Sequence, residues 1–243
     1  MTRGRIRLDR LLVDRGLAAS REKAQALIMA GEVRVNHQKA LKPGQPVDQD
    51  AALEVLAPPP FVSRGGIKLA HALGHFALDL GGRICVDIGS STGGFTDAML
   101  QAGAARVHAV DVGAGQLDWK LRTDPRVVVH EGINARELRL EEIGERADFL
   151  ACDVSFISVT LILPAIAPLL QPGGQMVILI KPQFEVGKGQ VGKGGIVRDP
   201  ELHQAACERV ERAVRESGFE TTIIESPITG AEGNKEFLLY AHH

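Results

Sequence analysis

The segment VDIGSSTGGF, from Val86 to Phe95, decides the fold of this chain. It begins in a short Ile, Cys and Val run that predicts a buried β-strand, and it leads into an apolar pattern that predicts a helix. Between strand and helix lie Gly89, Gly93 and Gly94, which let the backbone turn sharply and pass close to a ligand. Ligands of open α/β sheets bind beyond the carboxyl ends of the strands. The segment therefore predicts a parallel sheet with a binding site at its edge.

Outward from this segment, strands alternate with helices. We predict strands in RICVDIG, RVHAVDV, RVVVHEG, ADFLACDV, GQMVILIK, FETTIIESPI and KEFLLYAH. We predict helices in IKLAHALGHF, FTDAMLQAG, GQLDWKLR, SVTLILPAIAPLL and ELHQAACERVERAVRESG. This alternation is typical of a doubly wound, Rossmann-like α/β fold. Because only a turn around TGAEGN separates the last two strands, we expect them to pair as an antiparallel hairpin at a sheet edge.

A proline-rich stretch, APPPF, divides the chain at Ala57 to Phe61. Consecutive prolines cannot donate to a helix or a sheet, and they form stiff, extended linkers. We predict a first domain over residues 1–57, a linker over 58–64 and a second domain over 65–243. The first domain has a small α+β pattern, in which Ser20 caps a helix that Gly31 ends.

Positive charge is concentrated in the first domain. The whole chain has a formal net charge of −2, whereas residues 1–47 hold ten Lys and Arg against four Asp and Glu, a local charge of +6. A basic end on a mildly acidic body favours an anionic partner for that end.

The loop after the first strand of the second domain favours one cofactor class. A NAD site requires G-x-G-x-x-G, whereas this loop has D-x-G-x-x-x-G-G. Asp87 suits an amino or ammonium group, and Asp111, which ends the next strand, can accept from two ribose hydroxyls. The pattern is that of S-adenosylmethionine sites; a glycine-rich turn that serves packing alone is the alternative. The predicted cofactor residues are Asp87, Gly89, Ser90, Gly93, Gly94, Phe95, Asp111, Val112, Asn134 and Asp153.

Four ionisable residues stand at the ends of predicted elements. Lys68 begins the first helix of the second domain, and Asp153 and Lys181 end its fourth and fifth strands. Glu236 begins the last strand. Taken singly, each could be a solvated end of an element. A charge that closes an apolar strand is costly unless it is paired, so the set of four predicts a catalytic group.

These residues resemble a known family. Lys68, Asp153, Lys181 and Glu236, together with DIGSSTGGF, resemble the FtsJ-type ribose 2′-O-methyltransferases. The longer stretches SRGGIKL, CDVSFIS and KPQFEVGKGQVGKGGIVRDP are similar to the TlyA family, which joins an FtsJ-like domain to an α-L-motif RNA-binding domain. The resemblance implies methylation of ribosomal RNA or ribosomal subunits, at cytidine, with Lys181 orienting or deprotonating the hydroxyl. It also implies RNA contacts through Arg3, Arg5, Arg7, Arg10, Arg21, Lys23 and Arg34.

Two other functions compete with this interpretation. One is an RNA-binding ribosome-assembly factor with a vestigial cofactor site, against which the intact set of four argues. The other is a secreted cytolysin, because members of the family are often labelled haemolysins; we find neither a signal peptide nor a membrane-active helix. GKGQVGKGG resembles a phosphate-binding loop but has Gly194 where Ser or Thr is required, and we expect a basic loop that closes over RNA. We expect a cytoplasmic protein without a metal site, and the sequence does not define its oligomeric state.

Overall fold

The computed structural model describes residues 4–56, 59–230 and 232–243. It divides into two compact units, Met1–Pro59 and Pro60–His243. Arg3 of the predicted RNA-binding set, and Ala57 and Pro58 of the proline-rich stretch, lie outside the described residues. Just after that stretch and within the second unit, Val62 N donates to Asp97 Oδ2 at 2.9 Å.

Short helices and strands build the N-terminal unit. They are β1 (Arg5–Arg7), α1 (Leu8–Asp14), α2 (Arg21–Ala30), β2 (Val33–Val35), β3 (Gln38–Lys39), β4 (Pro46–Asp48) and β5 (Leu53–Val55). β1 pairs with β4, and β2 pairs with both β3 and β5, all antiparallel. Both predicted ends of α2 are confirmed. Ser20 Oγ accepts from Lys23 N at 3.2 Å, and Gly31 follows the helix with a φ of 77°.

One apolar face of each helix forms the core of this unit. Leu8 and Leu12 of α1 pack with Ala24 and Ile28 of α2. Leu17 lies beyond the end of α1 at Asp14 and is 38% exposed.

The C-terminal unit has the alternating order that the sequence predicts. Its first half contains α3 (Gly65–His75), β6 (Ile84–Ile88), α4 (Gly94–Gln101), β7 (Arg106–Asp111), α5 (Trp119–Arg122), β8 (Val127–Glu131) and α6 (Leu140–Ile143). Its second half contains β9 (Ala147–Cys152), α7 (Leu163–Ile166), β10 (Leu170–Ile180), α8 (Pro182–Glu185), α9 (Pro200–Glu216), β11 (Glu220–Glu225) and β12 (Phe237–His242).

These strands form a seven-stranded sheet in the order β11-β12-β10-β9-β6-β7-β8. Neighbouring strands from β10 to β8 are parallel, whereas β12 is antiparallel to both β10 and β11. The predicted doubly wound fold and its antiparallel last strand are confirmed. The predicted hairpin is also confirmed, since β11 and β12 pair antiparallel at one edge of the sheet, with β11 outermost.

Apolar side chains cover both faces of this sheet. One cluster includes Ile88 and Ile178 with Val210 of α9. The other includes Phe149 and Val177 with Leu69 of α3, Met99 of α4 and their neighbours. Burial on both faces explains the continuous Val, Ile and Leu runs of the central strands.

Proline accounts for the main departure from the predicted helices. The segment SVTLILPAIAPLL is a short 3-10 turn at Val159–Leu161, then α7, then a second 3-10 turn at Ala167–Leu169. Pro164 and Pro168 lack the N–H that a continuous helix would need, so the helix breaks at both. The segment GQLDWKLR is helical only over α5, which Asp118 caps by accepting from Lys120 N at 2.8 Å.

Candidate active site and cofactor cavity

Two glycines of the loop after β6 are required by the protein's own packing. Gly89 has a φ of 82°, and a Cβ there would lie 2.4 Å from the carbonyl oxygen of Asp153. Gly93 has a φ of 95°, and a Cβ there would lie 2.2 Å from Leu121 Cδ1. Side chains are therefore excluded at both positions before any ligand is considered, because the conformation is strained and the space is filled. The packing alternative raised from the sequence explains these two glycines.

Asp87 lies beneath this loop. Its side chain is fully buried, and Oδ2 accepts from Thr96 Oγ1 at 2.6 Å. Among the described residues, nothing donates a hydrogen bond to Oδ1. Burial raises the pKa of Asp87 to about 7. Asp87 lines neither of the two cavities described next, although it lies near enough to Asp153 and Asp111 for their negative charges to add to the rise in its pKa.

The raised pKa of Asp87 predicts how stability depends on pH. The folded protein keeps this carboxyl protonated up to about pH 7, whereas an unfolded chain releases the proton near 3.9. The folded state therefore binds more protons between these values, and this group's contribution to the free energy of unfolding falls as the pH rises through them. We expect Asp87→Asn to remove that fall and to be more stable than the wild type at pH 8. Urea denaturation of both proteins from pH 5 to pH 8 gives the free energy of unfolding at each pH. If this free energy changes with pH by the same amount in Asp87→Asn and in the wild type, the prediction is contradicted.

Two cavities with shared lining residues lie at this end of the sheet. The larger of the two lies at the carboxyl ends of β6, β7 and β9. It has a volume of about 380 Å³. Asp111 contributes a carboxylate whose orientation is fixed, since Oδ2 accepts from Ser91 N and Oδ1 from Gly113 N, both at 2.7 Å. Val112 and Asn134 lie on the same wall, and the rest of the lining is largely apolar. The arrangement suits a flat apolar ring joined to a pair of hydroxyls.

A smaller cavity of about 190 Å³ continues from the larger one. The two cavities share Gly89, Ser91, Asp153 and Ser155. The smaller one adds Ser90, Gly94 and Phe95 of the predicted cofactor set, together with Lys68 and Lys181. Of that set, only Asp87 and Gly93 lie outside both cavities.

The four predicted catalytic residues form two ion pairs. Lys181 Nζ lies 2.7 Å from Asp153 Oδ1 and also donates to Ser155 Oγ at 2.8 Å. Lys68 Nζ lies 2.5 Å from Glu236 Oε2, and both side chains are less than a tenth exposed. Lys68, Lys181 and Glu236 line a third cavity, of about 430 Å³. The structure thus brings all four together around the smaller and third cavities, whose linings share Lys68 and Lys181.

The sheet topology explains this convergence. β9 and β10 are adjacent and parallel, so the residues that follow them, Asp153 and Lys181, meet at one edge. β12 runs antiparallel to β10, so its first residue lies beside the last residue of β10. Glu236, which precedes β12, is therefore at the same end of the sheet as Lys181. The pair with Lys68 also needs a glycine nearby, since a Cβ on Gly230 would lie 2.6 Å from Glu236 Oε1.

Sequence reasoning missed Ser155 and Phe156. Ser155 is the hydrogen-bond partner of Lys181, and Phe156 is 92% exposed with a φ of 65°, close to the ring of Phe184. Both line the third cavity. The available signal was their position: a polar residue and an aromatic residue directly after the strand that Asp153 closes.

The predicted RNA-binding side chains within the described residues are all exposed residues of the N-terminal unit. Arg7 and Arg21 meet at Asp9. Arg5 and Arg10 pair loosely with Asp48 and Asp14, each at 3.7 Å. Over the described parts of the chain, no group of His, Cys, Asp and Glu is arranged to hold a metal ion.

The sheet order and the cavities at its carboxyl edge are those of an α/β methyltransferase. The family model for FtsJ-like methyltransferases matches residues 61–243, and the model for the S4 domain matches residues 6–53. The chain belongs to the FtsJ-like methyltransferase family, with an S4 domain at its N-terminal end. The resemblance drawn from the sequence motifs is confirmed.

Known relatives are similar over the whole chain. The putative rRNA methyltransferase YqxC of Bacillus subtilis is 49% identical over 245 residues, which cover 100% of this chain and 87% of that protein. The 16S/23S rRNA (cytidine-2′-O)-methyltransferase TlyA of Mycobacterium tuberculosis is 48% identical over 239 residues, 97% of this chain and 89% of that protein. A solved structure, of a putative hemolysin from Streptococcus thermophilus, is 44% identical, with a TM-score of 0.75 over 99% of this chain and 89% of that one. No helix in the described parts of this chain combines the length and the apolar character needed to cross a membrane.

Proposed function

We propose that this chain transfers a methyl group from S-adenosylmethionine to a ribose 2′-oxygen of ribosomal RNA, at cytidine. The observation that carries the proposal is the convergence of the Lys181–Asp153 and Lys68–Glu236 pairs. Lys68, Asp153 and Lys181 line the smaller cavity, which shares residues with the larger one; we assign these two cavities to the cofactor and call them the cofactor cavity. The names of the relatives support ribosomal RNA and cytidine as the target. In this proposal the N-terminal unit anchors the RNA, the C-terminal unit carries out the transfer, and the protein works in the cytoplasm.

The cavity residues fit the proposed cofactor. Asp111 would hold the two ribose hydroxyls, since each of its oxygens accepts one backbone N–H and retains capacity for a second donor. Val112 and Asn134 would lie beside the adenine. Ser90, Gly94, Phe95 and Asp153, in the smaller cavity, would surround the methionyl end. The bound cofactor supplies a methyl group on a sulfonium, whose leaving group is a neutral thioether.

In this proposal Lys181 acts on the accepting hydroxyl. A lysine ammonium has three N–H donors; here one donates to Ser155 Oγ while Asp153 Oδ1 lies 2.7 Å from Nζ as an ionic partner, so an N–H remains for a substrate oxygen. Held in this way, Lys181 can stabilise the negative charge that develops on the 2′-oxygen; if deprotonated, its Nζ can instead take the hydroxyl proton. Asp153 orients Lys181, while Glu236 does the same for Lys68, which brings a second positive charge to the same place.

Mapping of 2′-O-methyl groups in ribosomal RNA would test this function. RNA from cells that lack the gene should lose ribose methylation at a cytidine, and the purified protein with S-adenosylmethionine should restore it. Methylation of a base instead would overturn the proposal. An unchanged methylation pattern would favour the alternative of a ribosome-assembly factor with a vestigial site.

Asp111→Ala tests the assignment of the cofactor. The change removes two hydrogen bonds to a charged acceptor, so the Kd for S-adenosylmethionine should rise by about 10–100-fold. Asp111→Asn, which keeps one acceptor oxygen, should give a smaller loss. Isothermal titration with S-adenosylmethionine and with NAD measures both. Binding of NAD alone by the wild type, or equal S-adenosylmethionine affinity in all three proteins, would contradict the assignment.

A further inference from the structure

Three side chains of the N-terminal unit converge on the carboxylate of Asp9, which is fully buried. Arg7 donates from Nε to Oδ1 at 3.0 Å and from Nη2 to Oδ2 at 2.8 Å. Arg21 Nε and Gln25 Nε2 donate to the same Oδ2, at 3.0 and 2.9 Å. Two guanidinium groups on one carboxylate leave the cluster with a net positive charge. The hydrogen bonds from Arg7 hold the pKa of Asp9 well below its usual range, so the carboxylate is charged at neutral pH.

The two guanidinium groups are held but not enclosed. About half of each side chain, 51% for Arg7 and 53% for Arg21, is exposed to solvent. Within the part of the chain that the structure describes, Arg7 Nη1 and both Nη atoms of Arg21 donate no hydrogen bond. The absence of a side chain at Gly44 leaves room for this guanidinium, because a Cβ there would lie 3.0 Å from Arg7 Nη1. Arg7 therefore lies directly against a stretch of backbone that has no side chain.

Other arginines of the same unit are held differently. Arg5 and Arg10 each lie 3.7 Å from a carboxylate, and their side chains are 68% and 70% exposed. A long side chain that is free in solution loses rotamer freedom when it binds, whereas one that is already fixed does not. The planar fork of a guanidinium also matches the oxygens of a phosphate. Arg7 and Arg21 are thus prepared for an anion in a way that Arg5 and Arg10 are not.

We propose that Asp9 is a positioning residue that holds Arg7 and Arg21 as a preformed site for a phosphate of an RNA backbone. The two guanidiniums share one acceptor atom, Asp9 Oδ2, so their remaining N–H groups lie close enough to reach the same phosphate. The inference rests on the proposed function, which assigns RNA binding to this unit. It adds that a buried acid is essential to a surface that binds a polyanion.

The sign of one mutational effect separates this role from simple charge attraction. Neutralising an acid near RNA removes a repulsion and should strengthen binding, whereas removing a positioning residue should weaken it. We expect Asp9→Asn to weaken binding of a short RNA duplex by about tenfold, since Arg7 and Arg21 would become as mobile as Arg10. Asp14→Asn, the same charge change in the same helix, should leave the affinity unchanged or slightly higher, because Asp14 pairs only loosely. Fluorescence anisotropy with the full chain measures both.

Further variants are needed because Asp9 is buried, and a substitution there can affect folding as well as RNA binding. Arg21→Lys preserves the charge and loses the fork, so it should weaken duplex binding about as much as Asp9→Asn. In an Arg7→Ala/Arg21→Ala background, Asp9→Asn should have no further effect on affinity. If the role of Asp9 were purely structural, Asp9→Asn would still weaken binding in that background. The salt dependence of duplex binding should also become shallower in Asp9→Asn, because a phosphate contact is lost.

Two results would overturn the proposal. One is a folded Asp9→Asn protein, checked by circular dichroism, that binds the duplex as tightly as Asp14→Asn. The other is Arg21→Lys with wild-type affinity. Methylation of ribosomal RNA by the wild type is measured separately. Its absence would count against the proposed function while leaving the duplex comparison intact.

Discussion

Lys181→Ala should lower the rate of methyl transfer to ribosomal RNA by about 10²–10⁴-fold while the affinity for S-adenosylmethionine stays nearly unchanged. The reason is its position. Lys181 follows β10 and lines the smaller and third cavities, but it does not line the larger cavity, where Asp111 lies. An interaction made mainly in the transition state affects kcat and leaves ground-state binding intact. Single-turnover transfer of a labelled methyl group, with a parallel cofactor titration, measures the two effects.

Two variants control this prediction. Lys181→Arg should not restore activity, because a guanidinium has a different shape and stays protonated. Lys235→Ala removes a lysine whose exposed partner is Glu225, and should leave transfer unchanged. The pH profile of kcat separates the two roles of Lys181, since a general base gains activity as it loses its proton and an electrostatic role loses activity. Wild-type rates in Lys181→Ala would refute the assignment, and an equal loss of cofactor binding would make Lys181 a structural residue.

Removal of residues 1–59 should reduce kcat/KM for ribosomal RNA by about 100-fold, the effect of losing several phosphate contacts, and leave cofactor binding intact. The described cofactor-cavity residues and both ion pairs belong to Pro60–His243, which also has its own apolar clusters on both faces of the sheet. The basic residues Arg5 to Arg34 are lost with the other unit. RNA methylation and cofactor titration of the truncated and full chains make the comparison.

Salt provides the control for this truncation. RNA affinity of the full chain should fall steeply as salt is raised, because phosphate contacts release counterions, and the truncated protein should show a shallower dependence. A truncated protein that methylates ribosomal RNA as fast as the full chain would rule out the anchoring role of the N-terminal unit.

The sheet and the four ion-pairing residues could be predicted because each depends on local pattern. Buried parallel strands are recognisable as continuous apolar runs, and a charge such as Lys181 at the end of such a run needs a partner. Which partner it takes depends on strand order, and the sequence shows that only indirectly. The pairing of Lys181 with Asp153 follows from the adjacency of β9 and β10, whereas that of Lys68 with Glu236 depends on the packing of α3 against β12.

Features that depend on three-dimensional packing were not predictable in the same way. Asp87 occupies a motif position typical of a cofactor contact, yet its carboxylate is turned toward Thr96 beneath the loop. Gly89 matches a ligand-binding pattern, yet a glycine is needed there because a Cβ would collide with the carbonyl oxygen of Asp153. Asp9 reads as an ordinary helix residue, because nothing local shows that Arg21 and Gln25 approach it from the next helix.

The placement of β12 has a consequence for the order in which the protein matures during synthesis. β12 is synthesised after both β10 and β11, yet it lies between them in the sheet. Until it emerges, β10 has an open hydrogen-bonding edge, the kind of surface that invites wrong pairing in partly folded chains. Glu236 immediately precedes β12, so Lys68, made early, waits for its partner until nearly the whole unit has been translated. The nascent enzyme thus completes the Lys68–Glu236 pair only after the other strands of this sheet have been synthesised.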